Sequence, residues 1–202
     1  MIRIKLCGLT RKENVLAANR LRPDNIGFVF WERSRRYLTI ERAEALREIL
    51  SPDISAVGVF IDEDIDKVQS LLKNKIIDMA QLHGNEDEDY IRGLRETTGR
   101  PVIKAFRIRD VYDVKRAMDS PADLILLDSG AGGGRVLDWS LLRDTDRPYY
   151  LAGGLTPDNV AQAVRMLSPY AVDVSSGIET DGIKDEEKMI RFVNAVRGAE
   201  ND

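Results

Sequence analysis

The sequence predicts a single (β/α)8 barrel of the α/β class, the TIM-barrel architecture, over residues 1–202. Three observations predict it. Apolar, β-branched runs alternate with helix-period segments from one end of the chain to the other, the pattern of a parallel sheet wrapped by its crossover helices. The runs number eight, and 202 residues allow about 25 for each βα unit, short for this fold but enough. No proline-, serine- or glycine-rich linker divides the chain. A flavodoxin-like open sheet uses about five strands and would leave several runs without a place.

The predicted strands are 2–6, 25–30, 54–60, 78–82, 102–106, 123–127, 149–152 and 171–174. The first, Ile2-Arg3-Ile4-Lys5-Leu6, runs into Cys7-Gly8. The predicted helices between them include 12–21, 40–50, 65–73, 86–97 and 157–166. Thr39 is the expected N-cap of the second, and Thr156-Pro157 supplies an N-cap followed by proline at the first helical position of 157–166. The acidic clusters at 62–66 and 86–89 read as helix first turns, where negative charge complements the dipole. The sixth helix, around 139–142, is short. The closing helix, 185–197, shows an apolar face of Met189, Ile190, Phe192, Val193 and Val196.

Composition narrows the function classes. The chain is 43% hydrophobic and 32% charged, which is globular. A net charge of −4 leaves no electrostatic footprint for nucleic acid, although Arg33, Arg35 and Arg36 form a local basic group fit for a small anion. One cysteine excludes a disulfide framework and a multi-cysteine zinc site, and it suits a reducing compartment. The N-terminus lacks a signal-peptide layout, and no apolar stretch reaches the roughly 18 residues of a membrane span. The expectation is a soluble cytoplasmic protein without a membrane or nucleic-acid partner.

Parallel strands bring their C-terminal ends to one rim, where barrel chemistry is found. Cys7 ends the first run, and two readings stand for it: a small buried core residue, or a thiolate acting as base or nucleophile. Asp128 ends the sixth run, either as a turn residue of Asp128-Ser129-Gly130 or as an acid facing Cys7 across the mouth. Gly153-Gly154 after the seventh run and Ser176-Gly177 after the eighth are either tight turns or a phosphate cradle. Arg36, in Ser34-Arg35-Arg36-Tyr37, is either a solvated charge or a fork for a carboxylate. His83 ends the fourth run without a second histidine for a metal pair. The loop Gly130-Ala131-Gly132-Gly133-Gly134-Arg135 is either a lid or a loose connection.

Taken in order, the motifs Lys5-Leu6-Cys7-Gly8-Leu9-Thr10, Gly27-Phe28-Val29-Phe30, Ser34-Arg35-Arg36-Tyr37, Val57-Gly58-Val59-Phe60 and Gln81-Leu82-His83-Gly84 resemble the phosphoribosylanthranilate isomerase family of tryptophan biosynthesis. So do Leu127-Asp128-Ser129, Asp138-Trp139, Leu151-Ala152-Gly153-Gly154-Leu155, Asp173-Val174-Ser175-Ser176-Gly177-Ile178-Glu179 and Gly182-Ile183-Lys184-Asp185. The resemblance spans essentially the whole chain. It implies an Amadori rearrangement of phosphoribosylanthranilate without cofactor or metal. Asp128 is then the general acid on the ribose ring oxygen and Cys7 the general base at C2′. Arg36 would take the anthranilate carboxylate and Asp173 the amino group, with His83 lining the mouth. The backbones of Gly153, Gly154, Ser176 and Gly177 would take the phosphate. The implied partner is this small molecule alone, with the chain a monomer or homodimer.

The chemistry implied asks for a lowered thiol pKa and a raised carboxyl pKa. Two positions depart from the family pattern: Arg35 stands where proline is usual, and Gly132-Gly133-Gly134-Arg135 replaces Gly-Thr-Gly-Lys. A histidine-pathway isomerase on the same scaffold would use two aspartates, against which Cys7 speaks. A non-catalytic sugar-phosphate binder would have no use for both Cys7 and Asp128.

Overall fold

The computed structural model describes residues 1–128, 139–142 and 145–199. Eight parallel strands close into a barrel in sequence order: β1 (Arg3–Cys7), β2 (Asn25–Val29), β3 (Ser55–Phe60), β4 (Met79–Leu82), β5 (Val102–Arg107), β6 (Leu124–Asp128), β7 (Tyr149–Ala152) and β8 (Ala171–Val174). β8 pairs with β1, Lys5 opposite Asp173, and this pairing closes the sheet. All eight predicted strands are present, each end within a residue or so of its expected place.

Among the described residues, seven helices wrap the barrel: α1 (Lys12–Leu21), α2 (Ile40–Glu48), α3 (Ile65–Lys73), α4 (Glu88–Thr98), α5 (Val111–Met118), α6 (Val160–Leu167) and α7 (Glu186–Ala199). A single 3-10 turn, Trp139–Leu142, stands where the short sixth helix was expected. Two-residue strands β9 (Glu179–Thr180) and β10 (Ile183–Lys184) form a small antiparallel hairpin beyond β8.

Period-two alternation sorts the side chains. Ile4, Leu6, Ile26, Phe28, Ala56, Phe60, Ile125, Leu127, Val172 and Val174 pack outward into the main core beneath the helices. Val57, Ile103, Ala105, Leu126, Tyr150, Ala152 and Ala171 fill the barrel interior. Nearer the rim, Cys7 packs with Val29 and Val59, covered by Trp31.

The N-terminal end of the barrel is tied by a repeated device. Asp24, Asp78 and Asp123 each directly precede or lie within one residue of an even-numbered strand. Each accepts a hydrogen bond from the backbone of the preceding strand: Ile4 N at 2.9 Å, Ala56 N at 2.8 Å and Val102 N at 2.9 Å. Arg47 of α2 and Arg95 of α4 brace Asp78 and Asp123 in turn, at 2.9 and 2.8 Å.

Two local expectations are corrected. α6 is capped by Asn159 and starts at Val160, so Pro157 lies in the preceding turn. The Asn159 side chain accepts from Thr156 N and donates to Gly154 O, which ties the turn before α6 to the loop after β7. Glu86 is not in a helix first turn: α4 is capped by Asp87, and Glu86 is buried, 2.7 Å from Lys104 Nζ. Thr39 does cap α2, accepting from Arg42 N.

Candidate active site

The strand ends surround a cavity of about 300 Å³ at the C-terminal mouth, a size suited to a ligand of some twenty heavy atoms. Cys7, Arg36, His83, Asp128, Gly153, Gly154, Asp173 and Ser176 all line it. Gly177 stands just behind the wall. A Cβ there would lie 1.9 Å from Leu155 O, so its missing side chain lets the loop after β8 close on the loop after β7. The stretch 129–138, with the glycine-rich loop and Asp138, lies outside the described residues.

Cys7 is the last residue of β1 and 7% exposed. Gly27 sits opposite it on β2, and a Cβ at that position would come within 2.6 Å of the thiol sulfur. The glycine makes the space into which the thiol projects. Two residues below Cys7 on the same face, Lys5 is wholly buried and donates to Asp173 Oδ1 at 2.9 Å.

Burial pushes the Cys7 thiol above its ordinary pKa, and Asp173 adds to that push. Lys5 and Lys184 pull in the other direction without prevailing. The direction is opposite to the lowered thiol that the implied acid–base chemistry asks for. A 7% exposed sulfur loses more solvation than two neighbouring ammonium groups restore.

Arg36 reaches the cavity from the loop after β2. Its guanidinium is held from behind by Glu179, Nε at 2.6 Å from Oε1 and Nη2 at 2.8 Å from Oε2. Glu179 also accepts from Arg35 Nη2 at 2.6 Å and Lys184 Nζ at 2.7 Å. Lys184 donates further to Ser175 O at 2.8 Å. Three cations around one carboxylate leave this wall with a net positive charge. Arg35, the residue in place of proline, ties the β2 loop to the β9–β10 hairpin through an ion pair.

On the far wall, Asp128 ends β6, its side chain 23% exposed, with Oδ2 3.4 Å from His83 Nε2. Behind His83, Gln81 lies on the inner face of β4 with Nε2 3.1 Å from His83 Nδ1. Sequence reasoning assigned no role to Gln81, Glu179 or Lys184. Gln81 had a usable signal, since it is two residues before His83 in a strand and so shares its face. Glu179 and Lys184 had none, because their partners lie on distant segments.

The floor between these walls is formed by Gly153 and Gly154, with positive φ of 91° and 66°, and by Ser175 and Ser176. Glycine adopts this left-handed backbone at low steric cost. Among the described residues, no group of three His, Cys, Asp or Glu side chains has a metal-binding arrangement. No helix there is long and apolar enough to cross a membrane.

Comparison with known proteins gives the family. The family model for N-(5′-phosphoribosyl)anthranilate isomerase matches residues 4–195. The N-(5′-phosphoribosyl)anthranilate isomerase of Endomicrobium trichonymphae is 43% identical over 98% of this chain and 99% of its own length. A crystal structure of phosphoribosyl anthranilate isomerase in complex with reduced 1-(o-carboxyphenylamino)-1-deoxyribulose 5-phosphate superimposes with a TM-score of 0.88. It shares 36% identity and covers 98% of this chain and 100% of that one. Monomers generated from the dimeric enzyme of Thermotoga maritima give a TM-score of 0.87 at 36% identity, again over 98% of this chain and 100% of theirs. The chain belongs to the N-(5′-phosphoribosyl)anthranilate isomerase family.

Proposed function

We propose that this chain converts N-(5′-phosphoribosyl)anthranilate to 1-(2-carboxyphenylamino)-1-deoxyribulose 5-phosphate in tryptophan biosynthesis, with Asp128 as general acid and Cys7 as general base. One observation carries the reading. Cys7 and Asp128 end strands β1 and β6 and line one cavity, together with a guanidinium and the glycine-rich loops after β7 and β8.

Asp128 gives its proton to the ribose ring oxygen while the C1′–O bond breaks, its electron pair staying on oxygen. The anilino nitrogen shares the resulting positive charge as an iminium. Cys7, as thiolate, takes the proton from C2′, and those electrons neutralise the iminium to an enol-amine, which tautomerises to the ketose. Arg36 takes the anthranilate carboxylate on its forked donors, already oriented by Glu179. Asp173 and His83 orient the amino group and the sugar. The amides of Gly153, Gly154, Ser176 and Gly177 hold the phosphate. The chain works on this small molecule alone, in the cytoplasm, as a monomer or homodimer.

The test is turnover of freshly generated phosphoribosylanthranilate, followed by loss of its fluorescence. Wild type turns over. Cys7→Ala and Asp128→Asn keep the fold and fall by about 10²–10⁴ in kcat, the range general acid–base groups supply. Wild-type rates in either variant remove that residue from its role, and no turnover in wild type removes the activity.

A further inference from the structure

β4 and the residue that follows it carry two polar side chains, Gln81 and His83, into the cavity, and Gln81 has no task in the acid–base reading. Gln81 is only 1% exposed, and among the described residues its Oε1 is buried with no hydrogen-bond partner. Its Nε2 lies 3.1 Å from His83 Nδ1, and His83 Nε2 lies 3.4 Å from Asp128 Oδ2. All three side chains line the cavity.

Donor chemistry orders this chain of atoms. With the amide nitrogen toward the ring, Nδ1 accepts and a ring proton stands on Nε2, facing Asp128 Oδ2. Turning the Gln81 amide over would place the ring proton on Nδ1 and aim the Nε2 lone pair at Asp128, where it would repel the carboxylate left once the acid has given up its proton. The arrangement seen leaves Oε1 as the unmatched atom. A buried carbonyl without a donor is costly, and Gln81 is one of the residues that line the cavity, where a ligand hydroxyl is the donor at hand.

We propose that Gln81 is a positioning residue: its Oε1 accepts from a hydroxyl of the bound sugar, and its amide N–H holds His83 in the Nε2–H tautomer against Asp128. The proposal rests on the reading of Asp128 as general acid. As Asp128 passes its proton to the ring oxygen it becomes a carboxylate, and the His83 N–H is already aimed at the charge that forms. A donor fixed in advance gains more in the transition state than in the ground state. His83 and Gln81 keep their own protons throughout. Binding of the sugar and orientation of the acid are thereby linked through one amide.

His83 is the only histidine of the chain, so nitrogen-15 spectra report its tautomer without assignment. The Nε2–H form is expected in wild type and in its complex with the reduced product analogue. Gln81→Glu, whose carboxylate only accepts, brings a proton to Nδ1, and Gln81→Leu gives a mixture of tautomers. Both lower kcat by about 10-fold or more, with a smaller change in KM. Gln81→Met, close in volume, replaces Gln81→Leu should the latter not fold. An Nδ1–H ring in wild type, or an unchanged tautomer in all Gln81 variants, overturns the proposal. Asp128→Asn is assayed beside them: turnover retained there defeats the acid assignment, while the tautomer result still decides what Gln81 does.

Discussion

Cys7 sits where two requirements conflict. Its carbon neighbours Val29 and Val59 exclude water, and that burial raises the thiol pKa while Lys5 and Lys184 oppose the rise. A base must be ionised to work, so a raised thiol puts the activity on the alkaline side. The expected result is a kcat/KM that keeps rising with pH beyond the ordinary thiol value of about 8.5. Lys184→Met removes one of the opposing cations and should move that limb to still higher pH, read from kcat/KM profiles of the two proteins. A limb in the acid range would contradict the raised thiol, and one unmoved by the substitution would exclude Lys184 from tuning it. Stability follows the same sign. The unfolded thiol ionises first, so the contribution of the protonated buried group is present below that pH and is lost as pH rises through it. Gly27 makes the complementary steric case. A methyl there meets the Cys7 sulfur at 2.6 Å and its Cα at 3.0 Å. Gly27→Ala should therefore cost about 1–3 kcal/mol through overpacking, and lower kcat by displacing the base. Thermal melts beside the fluorescence assay check both.

The β9–β10 hairpin is the element that converts a surface loop into part of the site. Burial pushes the Glu179 carboxyl up, but Arg36 and Lys184 outweigh it and hold the group down at about 2. A depressed carboxylate stabilises the fold above its unfolded pKa near 4.3, and that stabilisation is lost as pH falls toward 2. Glu179→Gln should cost about 3–5 kcal/mol at neutral pH and flatten the acid dependence between those values, as measured by denaturant unfolding at several pH values. It should also raise KM, because Arg36 loses the carboxylate that aims it, and Arg36→Ala should raise KM with little change in kcat. A loss confined to kcat would contradict the role of both. The eight strands, the Cys7 and Asp128 positions and the α2 cap were legible in the sequence, because each depends on local periodicity or a residue next door. The Glu179 clamp was not, since Arg36 and Glu179 lie 143 residues apart and only the closed barrel brings them together. Glu86 was misplaced for the same reason: its partner Lys104 belongs to the next strand, and nothing in the acidic run 86–89 separates a buried member from its exposed neighbours.

At the scale of the molecule, closure is the step that local sequence cannot supply. Seven of the eight strand pairings join neighbours in sequence, whereas β8 must find β1 across the length of the chain. At that seam lies a buried ion pair, Lys5 with Asp173, opposite each other in register and 2.9 Å apart. Burial alone would lower the Lys5 pKa, but Asp173 and Cys7 together hold it above the ordinary value, so the ammonium stays charged inside the barrel. Such a pair need not stabilise more than well-packed apolar residues would, yet removing one partner strands the other. Lys5→Met should therefore destabilise the protein by about 3–5 kcal/mol, because the Asp173 carboxylate is left in the interior without its cation. The double variant Lys5→Met with Asp173→Leu should recover most of that loss, a non-additivity readable from denaturant midpoints. Activity should not return in the double variant, since Cys7 has lost its nearest cation and the substrate a contact at Asp173. If Lys5→Met alone proves as stable as wild type, the seam is held by its backbone ladder. The buried pair would then serve the thiol and the substrate rather than the barrel.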